Sequence, residues 1–263
     1  MRVSPVALVL IACLAAAGPA RASSAAVDEY LLAVTHDLSP VAKEALQRVG
    51  DPPRRLLAVR GYIRADRQLT ARWSWSAREI RAYEASAEYR ELLAAIDAVR
   101  ARFEAQNPGY SLYANTTSRS LDQQLQRWNS NPSVGVIAER LQQAALRELS
   151  VNHYPAHPDA KATVRFANFL REWHPTPAAA PLAVPGLSLH GRSRAIDFQI
   201  EQDGRIIAPT EVAKVRSVWE GQGWARRLAA AMRDTRFAGP LQSPNEPWHY
   251  EYVPRSREVG AKE

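Results

Sequence analysis

The chain has 263 residues, 46% of them hydrophobic and 23% charged, enough for one substantial core with a small accessory domain and too apolar for disorder throughout. Its 34 lysines and arginines outnumber 27 acids for a formal net charge of +7, and the arginines are scattered among acidic residues rather than gathered in a tract. That balance suits an anionic polymer or membrane surface, or simply a solvated arginine-rich face, and the lack of zinc-finger spacing, a glycine-rich phosphate loop or an aromatic-basic stripe argues against nucleic acid.

Residues 1–22, MRVSPVALVLIACLAAAGPARA, read as a secretory leader. Arg2 precedes an apolar run from Val6 to Ala17, and Ala20 and Ala22 flank Arg21 as a small-residue cleavage site. Cleavage after Ala22 starts the mature chain near Ser23, exported to the periplasm or cell envelope with a charge of about +5 once Arg2 and Arg21 are gone. Pro5, Gly18 and Pro19 leave the apolar run short for a transmembrane span. Cys13, following Leu10-Ile11-Ala12, opens a second reading in which a lipidated cysteine tethers the protein to a membrane. It is the one cysteine of the chain, so the remainder offers no disulfide, cysteine nucleophile or thiolate metal site.

From 23 to 106 the pattern is helical. Val27, Tyr30, Leu31 and Val34 recur at helical spacing, Ser39-Pro40 opens a second helix that stops at Gly50, and a third is predicted over Leu56–Leu69. The clearest helix begins at Ser76, where Ser76 and Glu79 match a capping box ahead of one apolar stripe through Ile80, Tyr83, Ala87, Leu92, Ile96, Val99 and Phe103. After Asn107-Pro108-Gly109 a strand is predicted over Tyr110–Ala114, then helices over Leu121–Trp128, Val134–Leu149 and Ala160–Trp173, and a loop over Pro175–Pro181. Ala195–Ile200 and Arg205–Ala208 read as strands joined across Asp203-Gly204, Val212–Val218 and Trp224–Met232 as helices, and Trp248–Val253 as a final strand. The sum is an α+β fold, a small antiparallel sheet flanked by helices with a helical N-terminal section over 23–106, a catalytic unit over 107–255 and a charged tail over 256–263.

Two segments carry chemistry, Ser188-Leu189-His190-Gly191-Arg192-Ser193-Arg194-Ala195-Ile196-Asp197 and Glu246-Pro247-Trp248-His249-Tyr250. Two imidazoles and a carboxylate form a sound three-ligand set for Zn²⁺ with a fourth position left for water, and Glu246 is a second carboxylate suited to moving a proton. Pro247 argues against a continuous helix through Glu246 and His249, so the pair is expected on a turn entering the last strand, with His249 projecting opposite Trp248 and Tyr250. Each residue alone is weak, since a lone histidine is more often a surface or hydrogen-bonded core residue. His153, His157, His174 and His36 read as loop or helix-end residues of that ordinary kind, and Trp219 and Trp224 as cleft-rim or core residues.

The order Ser-x-His, Asp seven positions on, then Glu-Pro-Trp-His-Tyr resembles the zinc D-alanyl-D-alanine carboxypeptidases of the VanY-like type and the related phage endopeptidases, over roughly 107–254. The resemblance implies that His190, Asp197 and His249 bind Zn²⁺ and that Glu246 is catalytic. Ser118-Arg119-Ser120-Leu121-Asp122-Gln123-Gln124 is similar to a further segment of that family, which implies that Arg119 addresses the substrate and Gln124 supports the cleft; Ser188 and Trp248 join them as substrate-binding residues. The implied substrate is the peptidoglycan stem peptide, cut at its terminal D-Ala-D-Ala bond; the alternatives are an endopeptidase and a wall-binding protein without turnover. The sequence departs from the family pattern at two places. Ser193 stands where the family has glycine, and Thr117-Ser118 replaces a glycine-aromatic pair.

Overall fold

The computed structural model describes residues 23–175, 182–242 and 245–254; the leader with Cys13, most of the proline-rich loop and the charged tail lie outside the described residues. Among the described residues six helices come first, α1 (Ser24–Thr35), α2 (Pro40–Gln47), α3 (Pro52–Ala65), α4 (Gln68–Arg72), α5 (Ala77–Glu84) and α6 (Ala87–Gln106). Strand β1 (Ser111–Asn115) follows, then α7 (Leu121–Ser130), α8 (Pro132–Val151) and α9 (Ala160–Glu172). A 3₁₀ turn over Leu189–Arg192 leads into β2 (Ala195–Gln202) and β3 (Arg205–Ala208), and 3₁₀ and π turns over 212–220 precede α10 (Trp224–Met232), β4 (Phe237–Ala238) and β5 (His249–Tyr252).

Local chemistry sets most boundaries. Ser76 and Glu79 form the expected capping box, with the serine hydroxyl accepting from Glu79 N and the glutamate accepting from Ser76 N. The stripe that follows is two helices, because Ser86 accepts a hydrogen bond from Tyr89 N and starts α6 afresh after α5 ends at Glu84. The predicted third helix is likewise broken, with α3 ending at Ala65 and Asp66 at a φ of 46° that a helix cannot continue. The strand β4, two residues long, shows no periodicity from which a sequence reading could find it.

All strand pairs are antiparallel, in the order β1-β2-β5-β4, with β3 also on β2. Asp203 and Gly204 both take positive φ, 50° and 73°, as a two-residue turn between twisted strands requires. One face of the sheet is sealed by α6 and α10, where Leu92, Ile96 and Phe103 meet Phe198, Trp219, Leu228 and Tyr250. A second apolar core joins α1 to α4 with α7 to α9, through Tyr30, Leu56, Tyr62, Leu141, Phe166 and Leu170. Packing therefore interleaves the chain, with α6 on the sheet while α7 to α9, later in sequence, pack with the first four helices.

The short extended link between α4 and α5 is where these layers meet. Ser74 N donates to Gly186 O at 2.8 Å, Trp75 N to Gly191 O at 2.9 Å, and Leu121 N to Trp75 O at 3.4 Å. One strand-like link thus holds the loop before β2, which carries His190, and the start of α7, which follows Arg119.

Candidate metal centre

Sheet register brings the first two donors together. Asp197 on β2 is paired with His249, the first residue of β5, so their side chains leave the same face of the sheet. His249 Nδ1 lies 3.1 Å from Asp197 Oδ1, and His190 Nε2, carried on the 3₁₀ turn just ahead of β2, lies 3.4 Å from Asp197 Oδ2. The two imidazoles sit edge to face with centroids 5.0 Å apart. Ligand atoms of a tetrahedral zinc site with bonds of about 2.1 Å are separated by about 3.4 Å, close to the 3.1 and 3.4 Å that separate the two carboxylate oxygens from the rings. Donor atoms from all three residues lie within 4.8 Å of one another, and all three residues are buried.

The backbone around His190 is shaped for this placement. Gly191 N donates to Ser188 O at 2.9 Å, closing the turn, and a Cβ on Gly191 would fall 2.2 Å from Ser74 Oγ and 2.6 Å from Gln124 Nε2. Ser193 takes the left-handed conformation, φ 51°, and turns the chain into β2. On the other side, Glu246 and His249 form the expected turn into the last strand. Glu246 N donates to Leu241 O at 3.0 Å and His249 N to Glu246 O at 3.0 Å. Trp248 packs on Trp219, ring centroids 5.7 Å apart, while also reaching the cavity edge.

Burial tunes the charges. Desolvation pushes the His190 pKa down to about 4 against the pull of Asp197, so the ring is neutral at pH 7 with a lone pair free for a metal. Burial opposes ionisation of Asp197, but the hydrogen bond from His249 and the positive surroundings outweigh it and hold the carboxyl below its usual range. Glu246, half-buried with Oε2 3.7 Å from His249 Nδ1, is pushed up by desolvation and by the charge on Asp197, the direction that suits a group that must both take and return a proton near neutrality. His249 Nε2 is buried without a hydrogen-bond partner among the described residues.

Arg119 and Gln124 occupy the same neighbourhood in different capacities. Arg119 Nη2 is 4.0 Å from Asp197 Oδ2, and its backbone N donates to His190 O at 3.1 Å. Gln124 is buried and works as a bracket. Its Nε2 donates to Arg119 O at 2.7 Å and Ser74 Oγ at 2.9 Å, and its Oε1 accepts from Gly186 N at 3.0 Å. Ser188 is buried at the cavity edge, and its carbonyl accepts from the Ser74 hydroxyl at 3.2 Å. Ser74 escaped the sequence reading, because a serine between two tryptophans matches no motif and its partners lie 50 and 114 residues away.

The remaining histidines stand apart. His36 pairs with Asp37 at 2.9 Å and His157 with Glu29 at 3.1 Å on open surface, His174 lies 3.2 Å from Arg64, and His153 sits in a turn at φ 49°. Among the described residues, the one group of three or more histidine and acidic residues placed to share a metal is His190, Asp197 and His249. It opens on a cavity of about 980 Å³ that Arg119, Glu246 and Trp248 also line. Two imidazoles, one ionised carboxylate and an adjacent glutamate form a site like that of a zinc hydrolase, able to hold a divalent metal such as Zn²⁺. No protein family, curated protein or solved structure matches the chain, so the functional reading stands on the chemistry of this site within an α+β fold.

Proposed function

We propose that the protein is a zinc-dependent D,D-carboxypeptidase that hydrolyses the terminal D-Ala-D-Ala bond of peptidoglycan stem peptides. The observation that carries this reading is Arg119, whose guanidinium lies at the cavity wall 4.0 Å from a carboxylate of the donor set. A guanidinium there can meet both oxygens of a substrate's terminal carboxylate and so place the last peptide bond against the donor cluster. His190, Asp197 and His249 would hold Zn²⁺, which when bound would supply a Lewis acid for the carbonyl and lower the pKa of water. Glu246 takes a proton from the attacking water and delivers it to the leaving amine, a shuttle favoured by its raised pKa. Export through a leader over residues 1–22 belongs to the same proposal, since the substrate is outside the cytoplasm.

The test compares a stem peptide ending in free D-Ala-D-Ala with the same peptide amidated at its C-terminus, at saturating zinc. The free acid should be cleaved much faster, and Arg119→Ala should erase most of the difference, at a transition-state penalty of roughly 2–5 kcal/mol. Equal cleavage of both peptides points to an endopeptidase, and no zinc-dependent cleavage of any wall peptide points to a binding protein.

A further inference from the structure

The cavity walls hold more positive charge than one terminal carboxylate needs. Arg72, Arg119, Arg127, Arg192 and Arg194 line it, against the carboxylates of Asp197, Glu246 and Glu251. Most of these guanidiniums are engaged. Arg72 donates to Leu187 O at 3.4 Å, Arg192 donates to Ala71 O and lies over the Trp75 ring, and Arg194 pairs with Glu88 at 3.3 Å. Arg119 faces Asp197. Arg127 differs, because its exposed side chain makes no hydrogen bond or ion pair with any described residue.

Its position in the fold is defined. Arg127 lies on α7 three residues beyond Gln124, and both residues border the cavity. Gln124 in turn brackets the backbone of Arg119, so the second guanidinium rides on the same rigid unit as the first. Both guanidiniums line the cavity, but Arg119 has Asp197 at 4.0 Å, whereas Arg127 has no acid within ion-pair distance among the described residues. Two guanidiniums lining one cavity, one of them without a partner among the described residues, match a ligand that carries two anionic groups.

We infer that Arg127 is a second carboxylate-binding residue of this cavity, selecting peptides that carry an acidic side chain in addition to their free C-terminal carboxylate. The inference rests on the reading of the cavity as a peptide site, and it names a substrate class that Arg119 alone does not select. A guanidinium on the solvent side of the cavity costs little to desolvate, so its contribution falls on affinity and capture more than on the chemical step, and it weakens with added salt.

Binding by zinc-loaded Glu246→Gln protein separates recognition from turnover. Calorimetry is run with acetylated peptides ending in free D-Ala-D-Ala that carry glutamate, or glutamine in its place, one or two residues earlier. At least one glutamate peptide should bind about tenfold more tightly than its glutamine twin, the worth of one hydrogen bond to a charged group. Adding Arg127→Gln should abolish that ratio, and Arg127→Lys should restore part of it, with zinc content and circular dichroism verifying each variant. A ratio near one in the parent protein, or an unchanged ratio after Arg127→Gln, overturns the inference even if wild type hydrolyses the peptides. Loss of hydrolysis alone, with the ratio intact, overturns the proposed activity and leaves Arg127 its role. No binding of any peptide by the zinc-loaded protein overturns both.

Discussion

Ser118 and Ser193 meet through a hydrogen bond between their hydroxyls, both buried, although 75 residues separate them. They are the two places where the chain departs from the pattern it otherwise resembles, and each departure touches the other. Ser118 immediately precedes Arg119, whose amide donates to His190 O, so the bond clasps the cavity-lining arginine to the loop that carries His190. Ser193 accepts a left-handed backbone, φ 51°, that glycine would adopt without strain.

Substitutions at the clasp should separate strain from bonding. Ser193→Ala keeps the strained backbone and leaves the Ser118 hydroxyl buried without its partner, costing about 1–3 kcal/mol. The double variant Ser118→Ala with Ser193→Gly removes both hydroxyls and the strain, and should stay within about 1 kcal/mol of wild type. Urea unfolding of wild type, Ser118→Ala, Ser193→Gly and the double variant, the four members of one cycle, measures the coupling; additive effects would mean that the bond contributes nothing.

Purified protein should carry about one zinc ion per chain, and His190→Ala, Asp197→Ala and His249→Ala should each lower zinc affinity by about 100-fold or more. Metal analysis after dialysis against a weak chelator gives the readout. Retention equal to wild type in all three would reject the donor set. A strong chelator should also lower the melting temperature of wild type, since a ligand bound only by the folded state stabilises it.

Glu246→Gln should keep its zinc and its fold while losing about 10²- to 10⁴-fold in kcat, because the shape of the side chain is preserved and its proton chemistry is not. Zinc stoichiometry and single-turnover hydrolysis are measured on the same sample. A variant that hydrolyses as fast as wild type would remove Glu246 from the reaction.

The metal-free protein should be acid-sensitive from about pH 6.5 downward. The folded-state pKa of His190 is about 4, below the 6.5 of an exposed imidazole, so between these values the unfolded chain binds the extra proton and acid favours unfolding. The loss at pH 4.5 relative to pH 7 is about 2–3 kcal/mol. Asp197, also lowered, adds to the loss at still lower pH, whereas the raised pKa of Glu246 acts in the opposite sense above about pH 4.5. Urea midpoints of chelator-treated wild type and His190→Asn across this range provide the measurement; the variant should show the flatter profile, and parallel profiles would contradict the assignment.

Gly191→Ala should destabilise the protein by about 1–3 kcal/mol and weaken zinc binding together, because the added methyl runs into Ser74 and Gln124 beside His190. A melt and a zinc titration on the variant test the coupling. Destabilisation with unchanged zinc affinity would show that the bracket supports the fold without placing the ligand.

Features that depend on a few neighbouring residues were legible in the sequence itself. Ser76 and Glu79 announce a helix start because their bonds close within one turn, and Asp203-Gly204 announces a hairpin because both residues tolerate positive φ. The chemical types of His190, Asp197, His249 and Glu246 also stand in the sequence, since imidazole and carboxylate keep their donor chemistry in any fold. The split at Ser86 lay beyond such reasoning, because the apolar stripe runs on through the break and only a competing cap ends the helix. Tertiary structure alone decided that β2 and β5 pair with Asp197 opposite His249, which is what turns separated residues into one donor set. It also decided that α6 seals the sheet while α7 to α9 pack with the first helices, and that Ser74, Gln124 and the Ser118–Ser193 clasp hold the loop carrying His190 against the segment carrying Arg119. The physical reason is range. Caps and turns are settled by hydrogen bonds a few residues long, whereas these contacts join atoms 50 or more residues apart and exist only once apolar burial has fixed the layers that carry them.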